Sequence, residues 1–183
     1  MTEQELIQGL KNRDELAFRE LVLKYQDRVY NTVLGYVQHT ADAEDLAQEV
    51  FIKIHHSIHQ FREDSGLFTW IYRIAVTQSL DFLRKKKSQK RFGFIMNLFG
   101  NDNRPNYEPV DFHHPGVQLD RKEDAAKLFV LINNLPENQK TALLLNKIED
   151  LSYAEIAAIM QTTVPAVESL LHRAKQSLRK MVN

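Results

Sequence analysis

Near the C-terminus, Ser152 and Glu155 stand three residues apart, the spacing at which each side chain satisfies the other's exposed backbone donor in a capping box. The short helix that follows runs from Ile156 to Met160 and gives way to Gln161-Thr162-Thr163. A longer helix then begins, with Thr163 as N-cap and Pro165 in its first turn, where a missing N–H costs nothing. On that last helix Val167, Leu170, Leu171, Ala174, Leu178 and Met181 share one face for packing. Ser169, His172, Arg173, Gln176 and Lys180 share the other, flanked by Lys175 and Arg179. A helix–turn–helix of this form directs its early side chains to base edges in a major groove and its later basic ones to phosphates. The candidate DNA contacts are Thr163, Glu168, Ser169, His172, Arg173 and Gln176, with Glu168 either accepting from a cytosine amine or simply weakening phosphate attraction.

Further upstream, Arg84-Lys85-Lys86-Lys87-Ser88-Gln89-Lys90-Arg91 places six cations in eight residues, closing a helix that contains Phe68, Trp70 and Tyr72. Arg73, Thr77, Leu80 and Arg84 fall on one side of that helix, a stripe with a guanidinium at either end. Before it lies the loop Phe61-Arg62-Glu63-Asp64-Ser65-Gly66, flanked by aromatics. Cations tracking a backbone beside stacking rings suit single-stranded nucleic acid, where each stacked base contributes on the order of 1–3 kcal/mol. Phe61, Ser65, Trp70, Arg73, Thr77, Arg84, Lys85, Lys86 and Lys87 are the candidates, although Trp70 taken alone reads better as a core residue. Neutralising about five phosphates would give a log–log salt slope of roughly −4.5.

A preceding helix, with Asp42 as its expected N-cap and Asp45 three positions on, puts Ala43, Leu46, Ala47, Val50, Ile54 and Ile58 on one face. Its outer side carries Glu44, Asp45, Gln48, Ile52 and His55. An exposed isoleucine among carboxylates and an amide reads as a protein-contact patch. His55 and His59 are spaced for a metal, but no motif supplies a third ligand and a general base. No metal, cofactor, small-molecule substrate or catalytic group is therefore expected.

These residues need scaffolding, and the periodicity supplies helices almost throughout. From Leu16 to Val37 the apolar set Phe18, Leu21, Val22, Tyr25, Val29, Val33 and Tyr36 recurs at three and four. The basic helix starts after Ser65-Gly66 and is expected to run to about Lys87. Residues 91–119 hold three of the six glycines and three of the five prolines, a linker of low helical content. Phe92 to Phe99 within it is unusually apolar for a tether. Helices return through Ala125, Leu128, Phe129 and Ile132, stop at Leu135-Pro136, and resume through Ala142, Leu143, Leu145 and Ile148. The expected fold is all-α: two small helical domains, 1–91 and 121–183, joined by a linker over 92–120.

The 183 residues carry 24 cationic and 24 anionic side chains, so the net charge is zero, but it is unevenly spread. Residues 1–60 sum to −4 and residues 61–92 to +5, which suggests two surfaces with different partners. With no cysteine, disulfide frameworks, cysteine-based zinc sites and thiol catalysis are excluded. An acidic Met1-Thr2-Glu3-Gln4-Glu5 opening without an apolar core, and no apolar run long enough to span a bilayer, lead to the expectation of a cytoplasmic protein.

Four stretches in this order resemble the extracytoplasmic-function (ECF) group of bacterial RNA polymerase sigma factors, within the sigma-70 family. They are Asp42 to Lys53; Phe61 with Thr69-Trp70-Ile71-Tyr72-Arg73-Ile74-Ala75, Asp81 and Arg84; Leu135-Pro136 with Leu151 to Ala157; and Val167 to Lys175. The resemblance implies a first domain (region 2) that holds the clamp helices of core RNA polymerase's largest subunit through Asp45, Gln48, Glu49 and Ile52. It implies that loop 61–68 and the helix behind it recognise and help melt the minus-ten element. The last domain (region 4) would read the minus-thirty-five element of promoter DNA, near the polymerase flap. A membrane-bound anti-sigma factor is a further partner it allows. Departures from the family pattern are Thr77, where many members carry Asn, Leu67-Phe68 in place of Phe-Lys, and Glu168 and Leu170 at positions often basic. The alternative reading is a helix–turn–helix regulator that binds DNA unaided; a metal-dependent hydrolase using the histidines stands further off.

Overall fold

A computed structural model of the chain describes residues 1–98 and 122–182, with the side chains of residues 90–98 and 122–126 left aside. Helix α1 (Glu3–Lys11) begins with a capping box in which Thr2 and Glu5 exchange side chain-to-backbone bonds of 2.7 and 3.2 Å. It lies so close to α2 (Glu15–Val37) that a Cβ on Gly9 would sit 2.6 Å from the Ala17 Cβ. Only glycine allows that approach.

Helix α2 ends at Gln38, whose left-handed backbone (φ 57°) leaves no room for further turns. His39 follows at once in extended conformation and caps α3 (Thr40–Ser57), its Nδ1 accepting from the Asp42 N–H at 3.2 Å. The N-cap is thus His39, three residues earlier than the Asp42 read from sequence. Asp42 sits in the first turn instead, where a carboxylate favours the helix dipole, and it pairs with Lys86 at 2.6 Å. The six apolar residues assigned to this helix's inner face, Ala43 to Ile58, are all buried, the last in a single 3₁₀ turn, Ile58–Gln60.

Helix α4 (Leu67–Leu98) is longer than expected. It continues past Lys87 and takes in Phe92 to Leu98, which the composition assigned to a linker of low helical content. One glycine, Gly93, costs a helix only about 1 kcal/mol, and no proline occurs before Pro105. The start of α4 is held from a distance: the Glu3 carboxylate accepts from the Leu67 N–H at 3.2 Å.

Helices α5 (Lys122–Asn133), α6 (Glu137–Lys147), α7 (Tyr153–Ile159) and α8 (Val164–Val182) make the second module. The Ser152–Glu155 capping box forms, and those hydrogen bonds hold the Glu155 carboxyl below its usual range. Thr163 Oγ1 accepts from the Ala166 N–H, with Pro165 harmless in the first turn. On α8, Val167, Leu171 and Ala174 are buried, whereas Met181, assigned to the packing face, is 41% exposed near the helix end. Among the described residues there is no strand, and no helix is long and apolar enough to cross a membrane.

α1 to α4 pack on one another, as do α5 to α8, and the two groups also meet where α4 touches α7 and α2 touches α6. Buried apolar side chains of both groups form one connected core.

Candidate nucleic-acid interface

Of the α4 stripe Arg73, Thr77, Leu80 and Arg84, only Arg73 and Thr77 line a common cavity, whereas Leu80 packs against the core and Arg84 pairs with Asp81 and Glu137. Trp70, Arg73, Ile74, Thr77 and Gln78 follow one another at i, i+3, i+4, i+7 and i+8, and all of them line one cavity of about 330 Å³. Lys53 of α3, Gln60, Arg62 and Asp64 close it from the side, and Gln161 from the turn between α7 and α8 roofs it. Three cations face one carboxylate, and that carboxylate, Asp64, is already paired with Arg62 at 3.1 Å. The volume is at the lower limit of ligand clefts, which span roughly 300–1,000 Å³, and suits one planar base beside a phosphate.

The loop 61–66 is braced rather than loose. Lys11 pairs with Glu63, itself left-handed at φ 62°, and Glu3 anchors the first N–H after the loop, so both ends are tied to α1. Phe61 and Trp70 stack at 5.2 Å, but they differ in access. Phe61 is only 3% exposed and supports the ring of Trp70, which is part-exposed to the cavity. Of the two aromatics, only Trp70 lines the cavity. Ser65 is half-buried and lies in the loop itself.

Arg84, Lys85, Lys86 and Lys87 are exposed. They are not equivalent. Lys86 is committed to Asp42, and Arg84 to Asp81 (3.0 Å) and to Glu137 (2.7 Å), whose carboxyl it holds below the usual range. Lys53, Gln60 and Gln78 are cavity residues that the sequence reading left out. Gln78 continues the Trp70–Thr77 spacing and was legible; Lys53 and Gln60 reach the cavity only through tertiary packing.

On α3, Asp45, Gln48, Glu49 and Ile52 are all exposed, Ile52 by 55%. His55 is half-buried, its ring edge-on to Phe18 at 5.1 Å. Among the described residues no group of three or more potential ligands gathers for a metal. On α8, Glu168, Ser169, His172, Arg173 and Gln176 are exposed in one row, as is Thr163 before it. Arg173 folds back onto its own helix, donating to Ser169 Oγ at 3.1 Å.

Where the modules meet, polar contacts accompany the shared apolar core. Arg73 donates twice to the Ala158 carbonyl, from Nε at 3.1 Å and Nη2 at 2.7 Å. The Tyr72 hydroxyl donates to Glu149 (2.7 Å), and the Gln38 side chain to the Phe129 carbonyl (3.1 Å). Lys140 donates to the Tyr36 carbonyl at 3.2 Å and to the Asn133 side chain. Burial pushes the Glu149 carboxyl above its ordinary range and the Tyr36 and Tyr72 phenols upward.

Lys140 is 4% exposed, and burial pushes its ammonium down to about 8, against a weaker opposing pull from Glu137. Between about 8 and the unfolded lysine value of about 10.4 the unfolded chain binds more protons than the folded one, so stability rises with pH across that window. The raised phenols act in the opposite sense above about 10, which ends the window. The melting temperature is expected to climb by several degrees between about pH 8 and 10. Lys140→Met should abolish that climb; a scan of melting temperature against pH for both proteins checks it.

The comparisons with known proteins agree with one another. Residues 21–89 match the family described as Sigma-70 region 2, and residues 126–178 that described as Sigma-70, region 4. The chain is 34% identical over 182 residues to the RNA polymerase sigma-H factor of Pseudomonas aeruginosa, covering 97% of this chain and 92% of that one. To the ECF RNA polymerase sigma-E factor of Haemophilus influenzae it is 35% identical over 187 residues, covering 100% and 96%. In fold it is similar to CnrH, solved in complex with the cytosolic domain of CnrY, with a TM-score of 0.69, 18% identity, and coverage of 98% and 96%. It is also similar to the sigma factor RpoE of Bartonella quintana, solved with the anti-sigma factor NepR, with a TM-score of 0.62, 20% identity, and coverage of 90% and 96%.

Proposed function

This chain belongs to the ECF RNA polymerase sigma factors of the sigma-70 family, and we propose that its two modules divide promoter recognition around one grip on core polymerase. Residues 1–91 form the module that grips the enzyme and handles the minus-ten element, 92–120 the connection, and 121–183 the module for the minus-thirty-five element. Asp45, Gln48, Glu49 and Ile52 contact the clamp helices of the largest subunit. Ile52 enters an apolar recess there, and the carboxylates meet a basic rim.

The unpaired minus-ten strand runs along α4. Arg73, Arg84, Lys85 and Lys87 take its phosphates, and one extruded base enters the cavity against Trp70, between Thr77 and the 61–66 loop. Thr77 offers a hydroxyl that both donates and accepts, so it discriminates bases less sharply than an amide would. On α8, Ser169, His172, Arg173 and Gln176 meet base edges and phosphates of the duplex, and Glu168 meets a cytosine amine. The protein acts as a cytoplasmic, non-enzymatic subunit, and an anti-sigma factor competing for either module is its expected regulator.

One observation carries this reading. Helix α3 presents two different surfaces a residue apart: Ile52 stands exposed in an acidic field, while Lys53 lines the cationic cavity shared with α4. One rigid element thus links a protein-binding face to a nucleic-acid-binding one. Start-site-specific transcription by reconstituted core polymerase tests it; stable operator binding without polymerase would favour the unaided regulator instead.

A further inference from the structure

We propose that α1 is a positioning strut for the loop that reads the melted minus-ten strand: Glu3 and Lys11 fix residues 63–67 and so set which base the cavity accepts, without touching DNA themselves. The proposal rests on the assignment of that cavity to the minus-ten element and adds residues outside it that govern its selectivity.

α1 is held as a rigid piece. Leu6, Ile7 and Leu10 are buried, and the close approach of Gly9 to Ala17 leaves no slack against α2. The capping box of Thr2 and Glu5 closes its first turn, and the Met1 amino group meets Glu20 at 3.5 Å. Glu3 and Lys11 stand at its two ends, about 12 Å apart along the axis. Each reaches a different end of the same short segment.

Glu3 supplies what the start of α4 lacks. The residue before that helix is Gly66, which has no side chain to cap it. The Glu3 carboxylate accepts from the Leu67 N–H at 3.2 Å and lies at the positive end of the helix dipole. It thereby fixes where α4 begins, and with it where Trp70, in the first turn, stands at the cavity. Lys11 holds the other end. Its partner Glu63 has a left-handed backbone (φ 62°), unfavourable for a residue with a Cβ. Arg62 and Asp64, on either side of Glu63, both line the cavity and pair with each other at 3.1 Å. A cation and a carboxylate at fixed places favour the donors and acceptors of one base over those of another. Release of Glu63 to an ordinary backbone turns both from those places. Ser65 lies between the two anchors, its Oγ buried and unpartnered among the described residues, so its reach to an incoming base follows the loop as well.

The test uses the full-length protein assembled with purified core polymerase. The probe is a promoter fragment from a mapped start site, in two pools, one randomised in the minus-ten element and one in the minus-thirty-five element. Each pool is selected by the holoenzyme and sequenced. Losing an exposed ion pair shifts an equilibrium by up to about fivefold. In Lys11→Met and in Glu3→Ala the preference for one base should fall by up to about that factor at one minus-ten position, with the minus-thirty-five preference unchanged. Glu3→Gln, whose amide oxygen still accepts from Leu67, should keep the preference, as should the exchanged pair Lys11→Glu with Glu63→Lys.

A lower transcript yield with unchanged base preference makes α1 a scaffold only and overturns the proposal. So does a salt slope lowered by one contact in Lys11→Met that the exchanged pair fails to restore, since Lys11 is then itself a phosphate contact. Trp70→Ala separates the two levels. If it changes the preferred base while the α1 variants do not, the cavity assignment stands and the strut falls; if it too leaves every position unchanged, both fall. Should Lys11→Met or Glu3→Ala lose helicity by circular dichroism, Glu63→Gln takes its place, and an unchanged preference in that variant contradicts the strut.

Discussion

Replacing Gln48 by Ala together with Ile52 by Asp abolishes co-purification with core RNA polymerase and leaves far-UV helicity unchanged. Both side chains point away from the packed face of α3, whose stability comes from Ala43, Leu46, Val50 and Ile54 on the other side. Exposed substitutions of this kind leave a fold within about 0.5 kcal/mol of its original stability. The cost falls on the interface instead. Burying an isoleucine in a partner's recess contributes about 1.5–3 kcal/mol, and a carboxylate in its place is desolvated without a partner. A loss of about 4 kcal/mol is roughly a thousandfold in affinity, enough to empty a pull-down. Glu44, Asp45 and Glu49 surround the position, so a new carboxylate there also meets like charges. Undiminished recovery with core polymerase would remove α3's outer face from the account.

Alanine at Lys85, Lys86 and Lys87 flattens the salt dependence of promoter binding by the assembled holoenzyme. Each phosphate contact on an unpaired strand contributes about −0.7 to the log–log slope, so three equivalent lysines would remove about 2.1. They are not equivalent in the structure. Lys86 is bonded to Asp42 at 2.6 Å and also lies over the Phe82 ring, so its charge is already answered within the module. The expected change is therefore about 1.4, the contribution of two lysines. Lys86→Ala alone should change the slope little. Titrations of promoter affinity against salt for the triple and single variants distinguish these cases. An unchanged slope for the triple variant would mean that the block does not touch DNA.

What the residues disclosed in advance was what neighbours along the chain decide. The Ser152–Glu155 box and the Thr163 cap depend on atoms three residues apart, and both form. The inner face of α3 was readable because the 3.6-residue period alone selects it. The start of α3 was not, since it depends on where α2 stops. Gln38 adopts a left-handed backbone that only the meeting of two helices requires, and it passes the cap to His39. The length of α4 was misread because glycine and asparagine were weighed as breakers, when an apolar helical run outweighs one glycine.

Phe61 shows the limit for the site itself. An aromatic in a loop before a basic helix looks available to stack, and only the fold places it beneath Trp70. The hold of α1 on the 61–66 loop, through Glu3 and Lys11, joins residues more than fifty positions apart. So does the seam between modules. No periodicity or composition encodes such pairs, since they arise when separate apolar faces share one core. The cationic face of α4 was therefore visible in the sequence, while the Ala158 carbonyl and Glu137 carboxylate bonded to it were not.

The most direct measurement is run-off transcription from linear genomic fragments with purified core polymerase, mapped to the nucleotide. Adding this protein should produce transcripts from a small set of defined start sites. These should vanish with the Gln48→Ala/Ile52→Asp variant and lie a constant distance downstream of a shared pair of sequence elements. Transcripts no different from those of core polymerase alone, under conditions where the protein co-purifies with it, would contradict the account.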